Sequence, residues 1–274
     1  MQKPQSINQG SSKRKLLEVL PEGLLVDSKW LINHGFTRND IDYYLRSGVL
    51  SAVQRGLYGR SGVPVKWEAL VQSLTEAGYA AHVGGEQALV EQGFGHFVTM
   101  SRTQVVHLYS AEKLPRWLEY WRTEQGNVGF RLELHRQPWL AGLPEQMFTQ
   151  RSFGLRDWKL RYAQTELAAL ECLFDCETEA DFQQVDRWFE SMHSLSPNRL
   201  QSLLASCPSV KTKRLFGWYS ERHQHAWAKH LDWAKVDLGK GKRSVIKGGS
   251  FDKHWQITVP RSMETKDGSE QSVF

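Results

Sequence analysis

The stretch 27–60 constrains the fold more than any other part of the chain. Its first helical run ends at Gly35, and glycine suits the tight turn between two helices. A second helix begins after Thr37, because Thr37 and Asp40 form a variant of the capping box, and it ends at Gly48. Two short strands, 49–53 and 57–58, then flank a Gln-Arg-Gly tip. This order predicts a helix-turn-helix followed by a β-hairpin wing.

One more helix precedes this stretch. Leu16, Leu17 and Leu20 lie on one face of residues 13–20, and Pro21 and Gly23 end the helical pattern. Three helices and a wing make a winged helix. We expect its core to contain Leu17, Leu20, Leu24, Trp30, Leu31, Ile41, Leu45, Leu50 and Leu57.

The excess of basic charge lies in the same part of the chain. The whole sequence has 35 Lys/Arg and 30 Asp/Glu, and residues 1–66 hold ten and five of them, which leaves 25 of each sign in the remainder. Neutralisation of phosphates supplies most of the sequence-independent affinity for nucleic acid. The distribution therefore favours a polyanionic partner, and an ordinary solvated surface is the alternative.

The outer face of the second helix of the motif is the candidate DNA-reading surface. Arginine and asparagine are suited to bidentate contacts with guanine and adenine edges, and basic residues around them suit phosphates. Asp42 is an exception on this face, where it would accept from a cytosine amino group or pair with a neighbouring arginine. A winged helix that only docks another protein is the alternative. The predicted DNA-binding residues are Arg38, Asn39 and Tyr43 at the bases, and Arg46, Arg55 and Arg60 at phosphates.

The rest of the chain predicts a larger domain of mixed composition. Short apolar segments at 79–83, 96–100, 105–108 and 128–134 alternate with helical patterns at 85–92 and 114–121, and two helices follow at 197–206 and about 209–223. The predicted fold is α+β, a winged helix-turn-helix followed by a larger mixed α/β domain with a helical C-terminal half. We divide the chain into a flexible arm 1–12, a winged helix 13–66, a second domain 67–260 and a polar tail 261–274.

A second basic region lies near the C-terminus, where residues 211–261 hold twelve Lys/Arg and four Asp/Glu. The run 239–244 is rich in glycine and lysine but lacks the spacing of a P-loop, so a basic loop that contacts a partner or nucleic acid is preferred over nucleotide binding, with a plain solvated hairpin as the alternative. The candidate contact residues here are Lys211, Lys213, Arg214, Lys240, Lys242 and Arg243.

No metal, cofactor or catalytic centre is predicted. The histidines at 223, 225 and 230 and the three cysteines match no zinc spacing, and the cysteines are interpreted as reduced core thiols. No apolar run is long enough to span a bilayer, and we expect a cytoplasmic protein. A winged helix fused to a metal-dependent nuclease is an enzyme alternative, because Asp157 with Lys159 and Glu264 with Lys266 are formal matches to an acid-x-lysine pair.

Residues 23–58 resemble the winged-helix domain of the AbiEi family of antitoxins, the regulatory halves of type IV toxin-antitoxin systems. Five blocks resemble the family's larger domain, namely PRW at 115–117, QTELAALE at 164–171, VKTKRLF at 210–216, VDLGKGKR at 236–243 and QITVP at 256–260. The resemblance implies that the winged helix binds inverted repeats of double-stranded DNA in its own promoter. It also implies that the larger domain counteracts a cognate nucleotidyltransferase-like toxin, directly or indirectly, with no catalysis by this chain.

Overall fold

In a computed structural model the described residues are 9–94, 103–123, 129–154 and 158–264, and of residues 9–12 only the backbone is described. The chain divides into two compact units. The first contains residues 1–82, 101–137 and 150–160, and the second contains residues 83–100, 138–149 and 161–274. The proposed domain boundary at residue 66 stays a prediction.

The first unit begins with the predicted winged helix. Its elements are α1 (Gln9–Val19), β1 (Val26–Asp27), α2 (Ser28–Asn33), α3 (Arg38–Arg46), β2 (Leu50–Gln54) and β3 (Leu57–Arg60). The three strands form an antiparallel sheet in the order β1-β3-β2. Helix α1 begins at Gln9, four residues before the predicted start, and residues 1–8 lie outside the described part of the chain.

The core of the winged helix is apolar and mostly as expected. Leu17, Trp30 and Leu45 are only partly buried; α1 turns Leu16 inward next to Leu17, and α3 turns Tyr44 inward next to Leu45. Both of these side chains are fully buried. The buried cluster consists of Leu16, Leu20, Leu24, Val26, Leu31, Phe36, Ile41, Tyr44 and Leu50.

The mixed α/β part contains a five-stranded sheet. It follows α4 (Trp67–Glu76), and its strands are β4 (Ala81–Val83), β5 (Gln104–Ser110), β6 (Phe130–Arg136), β7 (Phe148–Phe153) and β8 (Trp158–Ala163), in the order β6-β5-β4-β8-β7. Strands β5 and β6 pair in parallel from Gln104 opposite Phe130 to Ser110 opposite Arg136. Val83 of β4 lies opposite Tyr162 of β8, also in parallel.

Helices make up most of the second unit. They are α5 (Gly85–Leu89), α6 (Thr165–Phe174), α7 (Glu179–Ser191), α8 (Pro197–Ser206) and α9 (Val210–His223), and a short hairpin of β9 (Ser250–Asp252) and β10 (Ile257–Val259) follows. Helix α9 is buried along most of its length. A side chain at Gly217 would collide with the ring of Trp255, so this glycine lets the ring pack against the helix backbone.

The structure adds detail and several strands to the elements expected from the sequence. The segment 114–121 forms a 3-10 helix, Arg116–Arg122, and the sequence did not predict β7, β8 or β9. The expected strand at 96–100 lies outside the described residues.

The cysteines are free thiols, and burial raises the pKa of Cys176 to about 12 and of Cys207 to about 11, which keeps both protonated at neutral pH.

Candidate nucleic-acid interface

A complete capping box holds the start of α3. The Thr37 hydroxyl accepts a hydrogen bond from the Asp40 amide at 3.2 Å, and the Asp40 carboxylate accepts one from the Thr37 amide at 2.8 Å. Two backbone donors that a helix start leaves unpaired are thereby satisfied. The box fixes the first turn of α3, where two of the predicted base-reading residues lie.

The outer face of α3 is open to solvent. Arg38, Asn39, Asp42 and Arg46 are exposed, and within the described residues the side chains of Arg38 and Asn39 have no partner. Arg46 donates from Nε to the backbone carbonyl of Asp42 at 3.3 Å, and in the same described ranges the carboxylate of Asp42 forms no ion pair. The two leading polar side chains are therefore available to a partner.

Tyr43 occupies a different environment from its neighbours on this face. It is half-buried, packs against the core cluster and meets Tyr44 edge to face with ring centroids 5.7 Å apart. Its ring consequently contributes to the packing of α3 as well as to its surface.

The two predicted wing residues differ in what surrounds them. Arg55 is exposed at the tip of the β2–β3 hairpin, next to Gly56, whose φ of 79° suits glycine. Arg60 is half-buried, and its guanidinium donates to the carbonyl of Leu20 at 2.7 Å and to that of Leu17. These carbonyls lie at the C-terminal end of α1, so Arg60 supplies donors that the helix end itself lacks.

In the second unit Arg214 is an internal residue. It is 4% exposed and donates to four backbone carbonyls, those of Leu238 at 2.8 Å, Gly241 at 2.6 Å, Gly239 at 3.2 Å and Gln256 at 3.2 Å. Charged donors form stronger hydrogen bonds than neutral ones. Arg214 therefore ties the glycine-rich loop 238–243 to the body of the unit.

The other basic residues of this region fall into two groups. Lys213 is 3% exposed, and Lys211 is half-buried and donates to the carbonyl of Cys176 at 3.4 Å. Lys240 and Lys242 are exposed, and the Lys242 ammonium lies 4.8 Å from the centre of the Phe251 ring. Arg243 is half-buried and donates to the carbonyls of Lys240 and Lys242. Of the six candidate contact residues, only Lys240 and Lys242 are therefore exposed to solvent.

The nuclease alternative gains no support from geometry. Asp157 of the first acid-x-lysine match lies outside the described residues, and so does Lys266 of the second.

Among the described helices none is long and apolar enough to cross a membrane.

The α3 face, the wing and the larger α/β part define a winged-helix protein with an additional mixed domain. A family model described as the AbiEi antitoxin N-terminal domain of a transcriptional regulator matches residues 9–100. A second, described as a transcriptional regulator, AbiEi antitoxin, type IV TA system, matches residues 103–260. The chain therefore belongs to the AbiEi antitoxin family of transcriptional regulators of type IV toxin-antitoxin systems, and the predicted family is confirmed.

Among solved structures the chain is similar to the RV2827C protein of Mycobacterium tuberculosis. The two are 16% identical with a TM-score of 0.57, and the match covers 93% of this chain and 92% of that chain. Identity at this level concerns the fold alone, and the predicted α+β class is confirmed. No curated protein matches the chain.

Proposed function

We propose that this chain is the antitoxin and autorepressor of a type IV toxin-antitoxin operon, and that α3 reads inverted repeats in its own promoter. The open pair of Arg38 and Asn39 on the capped first turn of α3 is the observation that carries this proposal. Each good bidentate contact with a base discriminates by roughly 1–3 kcal/mol, so these two side chains would contribute directly to the selectivity of the site.

The wing would add affinity without selectivity. Arg55 is exposed at the hairpin tip, where its charge can neutralise one phosphate. Arg46 is exposed at the end of α3 and would do the same, while Tyr43 would pack α3 and present one edge to the DNA. Arg60 would act by holding β3 against α1 more than by touching phosphate. Two inverted half-sites would require at least two copies of the chain.

We propose further that the second unit counteracts a nucleotidyltransferase-like toxin encoded beside this chain, without catalysis by the chain itself. The exposed Lys240 and Lys242, on the loop that Arg214 holds, are the candidate contacts with the toxin or with a nucleic acid that the toxin uses. Arg243 would support that loop through its bonds to neighbouring carbonyls. Lys211, Lys213 and Arg214 would shape the surface from inside.

A gel-shift titration with the DNA upstream of the reading frame tests the DNA-binding half. The parent protein should shift that DNA at lower concentration than a scrambled duplex of equal length. Equal affinity for both duplexes at moderate salt would contradict a promoter-reading role, because sequence-independent contacts alone would then explain binding.

Point variants in the full chain separate the two roles better than a deletion of the winged helix. A cut at residue 66 would divide a compact unit and would remove the hydrogen bond of 2.9 Å that the Leu25 amide donates to the Ser73 hydroxyl. Cells carrying the toxin and a promoter reporter should lose repression but keep protection with Arg38→Ala. They should keep repression and lose protection when Lys240 and Lys242 are both changed to alanine. Joint loss of both activities in either well-folded variant would refute the division.

A further inference from the structure

Two histidines meet at the end of the α7 and α9 helices, in the second unit. His193 lies two residues after α7, and His225 lies two residues after α9, beyond Gln224, whose φ of 49° is left-handed. The Nδ1 atoms of the two rings are 3.3 Å apart. The rings are nearly perpendicular, with an interplanar angle of 89° and centroids 4.8 Å apart.

The other nitrogen of His225 decides which tautomer is present. Its Nε2 lies 2.6 Å from the backbone carbonyl oxygen of Phe189. A carbonyl oxygen only accepts hydrogen bonds, so Nε2 carries the proton, and the neutral ring has its lone pair on Nδ1. A metal-binding histidine is oriented in the same way, with one nitrogen donating to a carbonyl and the other left for the ion.

Neighbouring groups hold the His225 ring in place. His223 stacks near it at an interplanar angle of 10°, with centroids 5.9 Å apart, and Asp186 fixes His223 through a 2.8 Å hydrogen bond. Trp227 packs 5.7 Å away, and its Nε1 donates to the carbonyl of Met192 at 2.6 Å. These contacts fix the orientation of the His225 ring in the structure, whereas His193 is exposed and gives an ion access from solvent.

We propose that the Nδ1 atoms of His193 and His225 bind a divalent transition metal ion of the zinc class. Two nitrogens at about 2.0–2.1 Å from a tetrahedral ion lie roughly 3.3 Å from each other, which is the observed separation. Without an ion, the same separation allows the Nδ1–H of His193 to donate a long hydrogen bond to the Nδ1 lone pair of His225. Imidazole nitrogen suits zinc, copper and nickel, and water completes the coordination.

A zinc-binding experiment must distinguish the site at His193 and His225 from a second pair of histidines. In the first unit His107 Nδ1 and His135 Nε2 are 3.0 Å apart, the distance of an ordinary hydrogen bond. Burial, the main cause, together with the neighbouring His135, lowers the pKa of His107 to about 4, so the His107 ring is neutral at pH 7 and can also bind an ion. The experiment must therefore measure how many bound ions are lost when His193 is replaced, and not only the total number of ions that the chain binds.

Calorimetric titration of the metal-free full chain with Zn²⁺ at pH 7.5 provides that count. His193→Ala should bind one equivalent less than the parent protein. His230→Ala removes an exposed histidine from the 3-10 helix Ala226–His230 and should bind as the parent does. Equal stoichiometry and affinity in the parent and His193→Ala, or an equal loss in His230→Ala, would overturn the proposal.

Chemical modification gives a readout confined to the site. Zn²⁺ should slow the carbethoxylation of His193 at least tenfold, as measured by mass spectrometry of its peptide, and a chelator should restore the rate. His230 in the same sample should react at one rate with and without Zn²⁺. An unchanged rate at His193 would refute the assignment even if the chain binds zinc elsewhere.

Discussion

The guanidinium of Arg60, at the end of the wing, donates a hydrogen bond of 2.7 Å to the carbonyl oxygen of Leu20, 40 residues earlier in the chain. A second bond reaches Leu17. The side chain thus joins the last strand of the wing to the C-terminal end of the first helix. In the proposed complex Arg60 is a positioning residue, and Arg55 is the wing residue that meets phosphate.

Exchange of these two arginines for alanine should have different effects. Arg60→Ala should lower the free energy of unfolding by about 1.5–3 kcal/mol, because it removes charged hydrogen bonds to carbonyls that are left unpaired. Arg55→Ala should leave stability within about 0.5 kcal/mol but weaken binding to all DNA sequences and reduce the salt slope by roughly one. Urea denaturation and salt-dependent binding titrations measure both. Equal stability of the two variants would contradict the assigned roles.

The capping box gives a second prediction. Thr37→Ala should cost about 0.5–2 kcal/mol of stability and weaken DNA binding, because the first turn of α3 carries Arg38 and Asn39. Thr37→Ser keeps the hydroxyl and should behave like the parent protein. If Thr37→Ala bound promoter DNA with parental affinity, the order of this turn would be irrelevant to binding.

Arg214 should be critical for the loop that it holds. Arg214→Met should lower the free energy of unfolding by at least about 3 kcal/mol, because four carbonyls lose a buried charged donor. Trypsin should then cleave the loop after Lys240 or Lys242 faster than in the parent. Lys240→Met, on the exposed side of that loop, serves as the control and should change stability by less than about 0.5 kcal/mol. Similar denaturation midpoints for the two variants would refute a structural role for Arg214.

The pH dependence of stability should report on Asp186. Burial tends to raise the pKa of this carboxyl, but hydrogen bonds from His223 at 2.8 Å and Arg222 at 2.9 Å outweigh it, and the pKa lies below its usual value. A pKa lower in the folded than in the unfolded chain contributes stability above the unfolded value, near 4, and loses it as the pH falls through the folded value. Asp186→Asn should therefore be less stable than the parent at pH 6, with a difference that shrinks below about pH 4. A difference that stays constant down to pH 3 would contradict this sign.

Local signals predicted the parts of the fold whose partners are close in sequence. The Thr37–Asp40 box acts within four residues, and α3 begins where it indicates; α8 likewise begins at the predicted residue 197. In β8, Leu160 and Tyr162 alternate with basic residues, a pattern from which this strand could have been predicted. Polar residues in the middle of β7 left no comparable pattern.

The environments of the basic side chains could not be predicted from the sequence. Arg60 and Arg214 were candidate surface contacts, yet their guanidinium groups meet carbonyls 40 and 24 or more residues away. Spacing within a helix or hairpin reveals which residues share a face, but not which loop covers that face. The exposure of Arg38 and Asn39 was easier to predict, because a short helix with one apolar side buries that side and leaves its outer face in solvent.

Recognition of promoter bases by α3 is the central claim, and a binding titration with paired duplexes tests it most directly. The ratio of affinities for operator and scrambled DNA is measured for the parent, for Arg38→Ala and for Arg187→Ala, which removes the same charge from an exposed position in the second unit. We expect Arg38→Ala to reduce this ratio by the equivalent of about 1–3 kcal/mol, roughly five- to 150-fold, and Arg187→Ala to preserve it. An unchanged ratio in Arg38→Ala would contradict the claim.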